Sequence, residues 1–187
     1  MRLFVALEIP AEVRENLAAL LGELRKVEAS PRWVRPENLH VTLKFIGEAR
    51  QEKLEAICAA LATVRSETSV RLEFHGLGFF PGEKRPRVLW AGMEASANLS
   101  LLAKDVDTAL ETTGIPREKR EFAPHLTLAR FKEDRASEKL QAAIRERAGR
   151  NFGGLRTDEF HLIESKLKAQ GAEYSRVASF AFSPLEG

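Results

Sequence analysis

The chain has one cysteine, Cys58, in 187 residues, which excludes an internal disulfide and a zinc site built on paired thiolates. It has no Gly-x-x-x-x-Gly-Lys loop to cradle a nucleoside triphosphate. It also lacks a His-Glu-x-x-His, and its aspartates are not clustered, so a dedicated metal centre is not expected. Neither sign of charge is in excess. Lys and Arg number 29 against 27 Asp and Glu, a formal net charge of +2, so any attraction for nucleic acid must come from local patches. The candidates are Arg117-Glu118-Lys119-Arg120, Lys84-Arg85-Pro86-Arg87, and Arg130 with Lys132; each is by default a solvated loop. No stretch approaches the ~20 apolar residues of a membrane span. Met1-Arg2-Leu3-Phe4-Val5 runs straight into a strand pattern instead of a signal peptide. A cytoplasmic enzyme or binding protein with no membrane association is the expectation.

What is present is a repeated tetrapeptide. His40-Val41-Thr42-Leu43 returns as His125-Leu126-Thr127-Leu128, each copy in an apolar, β-branched setting that reads as a strand. Side chains at i and i+2 of a strand leave the same face, so each copy presents an imidazole beside a hydroxyl. Two such presentations point to one site with two histidines, the equipment for paired acid and base chemistry.

The two motifs lie 85 positions apart, and the same offset lays Arg2-Leu3-Phe4-Val5-Ala6 on Arg87-Val88-Leu89-Trp90-Ala91. After the motifs the offset becomes 86, so that Phe45 meets Phe131, Leu54 meets Leu140, and Glu73-Phe74-His75 meets Glu159-Phe160-His161. Ordered matches along both halves indicate an internal duplication, approximately 1–82 and 86–187, within a single bilobal domain. Helical spacing recurs in Val13-Leu17-Leu20-Leu21-Leu24-Val27 after Pro10 and in Leu54-Ile57-Cys58-Leu61-Val64. It recurs again in Leu99-Leu102-Val106-Leu110, stopped by Thr113-Gly114-Ile115-Pro116, and in Leu140-Ala143-Ile144-Ala148. Strand–helix–strand–helix–strand thus occurs twice, with an extra strand near Tyr174 to Phe182. The expected fold is α+β and bilobal: two pseudo-symmetric lobes, each a sheet of antiparallel type with helices on its outer face, the site lying in the groove between the sheets. The change of offset predicts one inserted residue beside the second motif. Lys44 shares strand parity with His40 and Thr42, whereas Arg130 regains that parity only through a bulge; Arg130 is therefore expected to be the counterpart of Lys44, swung toward the site.

A phosphodiester in such a groove would be displaced in line, with a base taking a proton from water on one side and an acid protonating the leaving oxygen on the other. An ordinary imidazole pKa near ~6.5 lets one neutral and one protonated histidine coexist close to neutrality. The threonine hydroxyls could donate to nonbridging oxygens and the planar fork of Arg130 could clamp the charge. A lone strand histidine is more often a satisfied structural residue; two equivalent His-x-Thr copies reverse that balance. His75 and His161, a matched pair without threonine, read as structural or supporting. Of the aromatics that could stack a base, Phe45 and Phe131 suggest core packing. Phe79-Phe80-Pro81-Gly82 looks like an exposed loop and makes Phe80 the better candidate. Lys44, Phe45 and Phe80 are retained as candidate substrate contacts.

Pro36 to Gly47 (Pro-Glu-Asn-Leu-His-Val-Thr-Leu-Lys-Phe-Ile-Gly) and Phe122 to Arg130 (Phe-Ala-Pro-His-Leu-Thr-Leu-Ala-Arg) resemble the paired motifs of the 2H phosphoesterase superfamily. Arg2-Leu3-Phe4-Val5-Ala6, Pro10 and Gly171-Ala172-Glu173-Tyr174 are similar to its bacterial and archaeal RNA 2′,3′-cyclic phosphodiesterase branch, formerly called 2′-5′ RNA ligase. The resemblance implies hydrolysis of RNA or nucleotide 2′,3′-cyclic phosphates to 2′-phosphomonoesters without a metal or other cofactor; a monomer with no obligatory protein partner is the expectation. It implies His40 as proton donor to the departing 3′ oxygen, His125 as the base, and Thr42, Thr127 and Arg130 as phosphate contacts; a pseudo-symmetric pair does not by itself say which histidine does which. Two further readings stay open, the reverse 2′-5′ ligation and an RNA-binding module that has kept the fold.

Overall fold

The computed structural model describes residues 1–182; residues 183–187, the end of the expected second repeat, lie outside the described residues. Nine strands and four helices follow one another as β1 (Arg2–Glu8), α1 (Ala11–Val27), β2 (Arg32–Trp33), β3 (His40–Glu48), α2 (Leu54–Leu61), β4 (Val70–Phe80), β5 (Val88–Ala95), α3 (Asn98–Glu111), β6 (Leu126–Arg130), α4 (Glu138–Arg147), β7 (Asn151–Thr157), β8 (Glu159–Lys168) and β9 (Gly171–Ala181). The four expected helices are all present. In α1 the periodic residues Val13, Leu17, Leu20, Leu21 and Leu24 are the buried ones, each contributing roughly 1.5–3 kcal/mol by leaving water. Pro10 sits one position before the first turn in extended conformation, its carbonyl accepting from the Arg14 amide at 3.0 Å. In α4, Ser137 Oγ accepts from the Leu140 amide at 3.1 Å and closes the helix start. After α3, Gly114 takes φ +87° and Pro116 follows, which ends the helix.

The strands form two antiparallel sheets, one of order β3-β1-β8-β9 and one of order β2-β6-β5-β4-β7. The halves of the sequence do not coincide with the sheets, and here the expectation of one sheet per half is corrected. β4, from the first half, lies in the five-stranded sheet beside β5; β8 and β9, from the second half, complete the four-stranded sheet beside β1. The cause is local. Only residues 81–87 separate β4 from β5, and so short a link between antiparallel strands pairs them as a hairpin. The helices are shared likewise: α1 packs against α4 and β7, and α2 against α3.

One continuous apolar core runs through the helix-facing sides of both sheets, from Val5 and Leu7 through Leu89 and Ala91. The opposite faces bound the groove, together with α3 and the segment 117–123 that follows it. On the four-stranded sheet that face carries a small separate cluster of Phe4, Ala6 and Ile163 with Tyr174 against it.

Candidate active site

The two motif strands are placed by their partners. β3 pairs with β1 as Leu7–Val41, Ala6–Thr42, Val5–Lys44 and Phe4–Phe45; β6 pairs with β5 as Ala91–Leu126, Trp90–Thr127, Leu89–Ala129 and Val88–Arg130. Just past the threonine each ladder skips a leucine, Leu43 or Leu128, so both strands carry a bulge at the same point; β3 skips Ile46 as well. Through it Lys44 corresponds to Ala129 and Phe45 to Arg130, at an unbroken offset of 85. The bulge expected at Arg130 is there, but the first copy has one too, and the expected pairing of Arg130 with Lys44 is corrected. The same ladders place β1 on β5 at an offset of 84, with Phe4 over Val88, not 85. Identity of residue type hides such one-residue slips, although each slip exchanges the two faces of a strand.

His40, Thr42, His125, Thr127 and Arg130 all line one groove of about 880 Å³, as do Lys44 and Phe45. His40 Nδ1 lies 3.2 Å from the carbonyl of Asn38 and His125 Nδ1 lies 2.9 Å from that of Ala123, in both cases two residues back. A carbonyl only accepts, so both rings carry their hydrogen on Nδ1. Nε2 is then the atom that can take or give a proton in each.

Past the bulge the copies part. Lys44 is 6% exposed and turns to the helix side, where Nζ donates to Asp107 Oδ1 at 2.6 Å and to the Pro116 carbonyl at 2.8 Å. Both oxygens of Asp107 in turn accept from the Glu118 amide at 3.1 Å. Lys44 therefore anchors the segment leading to His125; its ammonium is engaged with protein, contrary to its expectation as a substrate contact. Phe45, expected to be core, is 70% exposed in the groove and touches Phe4 at a ring separation of 6.0 Å. Arg130 is exposed and has no carboxylate within 4.0 Å among the described residues. Phe131 is buried, 5.8 Å from Phe79. Phe79 and Phe80 end β4 instead of forming a loop, and Phe80, though 55% exposed, is not part of this groove.

The electrostatics of the two histidines also differ. His40 is half-buried against Phe4 and Tyr174, with ring separations of 6.1 and 5.7 Å, and loss of solvation holds its pKa below the ordinary imidazole value. The hydrogen bond to Asn38 and the charge of Glu8 work the other way. Glu8 stands opposite His40 on β1, and Arg176 of β9, whose Nε lies 3.2 Å from Glu8 Oε1, keeps that carboxyl below its usual range. His125 is exposed. Sequence reasoning missed Glu8, Tyr174 and Arg176 as neighbours of His40; Tyr174 was marked only within the family-like Gly171 to Tyr174 stretch, and the nearness of all three comes from the pairing of β1, β3, β8 and β9.

The match of His75 with His161 is not spatial. His161 is buried, opposite Ala6 in a regular ladder, with Nδ1 2.9 Å from Ser179 Oγ. The position opposite Trp90, the counterpart of Ala6, is Gly78, while His75 lies beyond a bulge of β4 with Nε2 3.2 Å from Glu94. Among the described residues no group of three or more His, Cys, Asp and Glu stands where it could hold a metal ion. No helix of the described residues is long and apolar enough to cross a membrane.

The chain has relatives among known proteins. It matches the LigT like phosphoesterase family over residues 7–90 and 93–174. It is 36% identical to the RNA 2′,3′-cyclic phosphodiesterase of Archaeoglobus fulgidus over 96% of this chain and 99% of that one. It is also 36% identical to the protein of the same description from Thermus thermophilus, over 100% of this chain and 93% of that one. Among solved structures, E. coli LigT complexed with 3′-AMP superposes with a TM-score of 0.80 at 27% identity, covering 98% of each chain. TT0787 of Thermus thermophilus superposes with a TM-score of 0.78 at 31% identity, covering 97% of this chain and 98% of that one.

Proposed function

The chain belongs to the LigT-like phosphoesterase family, and from that premise we propose that it opens RNA 2′,3′-cyclic phosphate ends to 2′-phosphomonoesters by paired histidine catalysis. The observation that carries the reading is the pair of imidazoles in one groove, both fixed with hydrogen on Nδ1 and both with Nε2 available, beside two threonines and an arginine that has no carboxylate partner among the described residues. The curated relatives' description as RNA 2′,3′-cyclic phosphodiesterases supplies the substrate class.

Water attacks phosphorus in line with the 3′ oxygen. His125 Nε2 takes the proton of the attacking water, the P–O3′ bond breaks, and His40 Nε2 delivers a proton to O3′. The cycle leaves His125 protonated and His40 neutral, and exchange with solvent resets both. Thr42 and Thr127 donate to the nonbridging oxygens and Arg130 holds the growing charge, an interaction that strengthens toward the transition state. The assignment of direction is supported by environment. His125 is open to water, as the base must be, whereas His40 is enclosed by Phe4 and Tyr174. Burial makes protonated His40 a stronger acid, and the anionic phosphate arriving beside it restores the proton that burial disfavours. Phe45, exposed on the groove wall, offers a face for the terminal base.

The test is a product assay on nucleoside and oligonucleotide 2′,3′-cyclic phosphates in excess EDTA. Formation of 2′-monophosphate is expected; a 3′-monophosphate product would reverse the choice of leaving oxygen, and loss of turnover with chelator would overturn the metal-free mechanism.

A further inference from the structure

Beyond the groove wall formed by Thr127 and Arg130, the face of the five-stranded sheet turned away from the core is dressed in an unusual way. Two rows of side chains cross it. Arg32 of β2 is in register with Arg130 of β6, Arg130 with Val88 of β5, and Val88 with Phe80 of β4. In the next row Thr127 is in register with Trp90, and Trp90 with Gly78. The alternate residues Leu89, Ala91, Leu126 and Ala129 are buried in the core, so both rows face away from the helices.

Three features of these rows point to a ligand. Arg32 and Arg130 stand directly opposite one another, both exposed, and neither has a carboxylate within 4.0 Å among the described residues. Like charges in register repel, so the pair costs stability unless an anion joins it. Trp90 is seated on the backbone: a Cβ at Gly78 would overlap its six-membered ring, so glycine is what lets the indole lie there. Phe80, 55% exposed, ends the first row, two strands from Arg130 and thus about 10 Å away. A cation pair flanked by an exposed and a half-exposed aromatic ring is what single-stranded nucleic acid needs, the cations for phosphates and the rings for bases.

The face also has a direction. Beyond the bulge of β4 it turns acidic, with Glu73 opposite Glu94. At the other end it runs into the β4–β5 hairpin bearing Lys84 and Arg85, a basic patch that the histidine chemistry leaves unused.

We propose that this face is a second subsite, which binds the RNA chain immediately 5′ of the cyclic-phosphate nucleotide. Arg32, beside Arg130, takes the phosphodiester that joins the last two nucleotides; Trp90 and Phe80 stack upstream bases; the chain leaves toward Lys84 and Arg85. A 2′,3′-cyclic phosphate terminates a strand, so the polymer extends only in the 5′ direction. The subsite rests on the proposed activity for the identity of its ligand, yet it makes a separate demand: the enzyme must distinguish a polymer from a mononucleotide.

The experiment compares a nucleoside 2′,3′-cyclic monophosphate with a pentanucleotide ending in the same group, on the wild type and on Arg32→Ala/Phe80→Ala. The wild type should prefer the pentanucleotide at least tenfold in kcat/KM. The double variant should lose that preference while turning over the mononucleotide within twofold of wild type, and Phe80→Tyr should keep it. Arg32→Ala alone should reduce the slope of log(kcat/KM) for the pentanucleotide against log[salt] by about 0.7. Equal wild-type rates on both substrates, or equal losses on both in the double variant, would overturn the subsite. If the wild type turns over neither substrate, the proposed activity has failed, and fluorescence anisotropy of a labelled pentanucleotide with a 2′-phosphate end still decides. Binding weakened tenfold in the double variant supports the subsite; unchanged binding, or none by the wild type, removes it.

Discussion

Strands β3 and β6 have the same backbone design and different chemistry. Each presents histidine and threonine to the groove, skips a leucine, and uses the bulge to aim two consecutive residues at opposite sides. In β3 those residues are Lys44, sent to the helices, and Phe45, sent to the groove; in β6 they are Ala129 and Arg130. The duplicated part supplies the proposed acid–base pair, and the two positions after it set the copies apart: a buried anchor and an aromatic wall on one side, and on the other a guanidinium with no carboxylate partner among the described residues. The histidines follow suit, His40 enclosed and His125 open.

The largest test of that inequality is the pair itself. Alanine at His40 or at His125 should lower kcat/KM on a cyclic phosphate by roughly 10²–10⁴-fold. A diester whose leaving group needs no proton, such as a nitrophenyl ester, should recover much of the loss in His40→Ala and little in His125→Ala. Equal recovery in the two variants would erase the assigned direction.

The bulge positions come next. Lys44→Met leaves the half-buried Asp107 without its cation and should destabilise the fold by about 1–3 kcal/mol, read from the denaturant midpoint. Adding Asp107→Leu should return most of it; failure to do so would mean that Lys44 acts other than through this pair. Arg130→Ala should do the opposite, changing stability by less than about 0.5 kcal/mol while lowering kcat/KM roughly 10–100-fold. A large stability loss there would show that Arg130 serves the fold.

The smallest effect is a shift in pH dependence. His40, the proposed proton donor, is held below the ordinary imidazole value, so the limb of kcat/KM that it sets, loss of the donor's proton as pH rises, should fall below pH ~6.5. Glu8 raises the His40 pKa, so Glu8→Gln should move that limb to still lower pH, and freeing Arg176 pushes in the same direction. A limb that stays or rises would detach Glu8 from His40.

Much of the site was legible in the chain because chemistry repeated within a short window is hard to produce by packing. The His-x-Thr pairs, the helices with their apolar spacing, and the inward swing of Arg130 all came from local pattern. Lys44 and Phe45 were misread for one reason: parity counted along an unbroken strand fails at a bulge, and the leucine that is skipped looks like any other leucine. His75 and His161 were matched by residue type across strands whose ladders differ by a bulge. The nearness of Glu8, Tyr174 and Arg176 to His40 was invisible, since it exists only after β1, β8 and β9 have paired.

The sequence by itself determined that two equivalent histidine–threonine pairs exist and that strands carry them, because side-chain periodicity and residue type are properties of a few neighbouring residues. Tertiary structure decided which half lends which strand to which sheet, because a short link between β4 and β5 outweighs the symmetry of the repeat. It also decided which side chains after each motif reach the groove, because a strand's register is set by the partner it pairs with, and one skipped residue exchanges its faces.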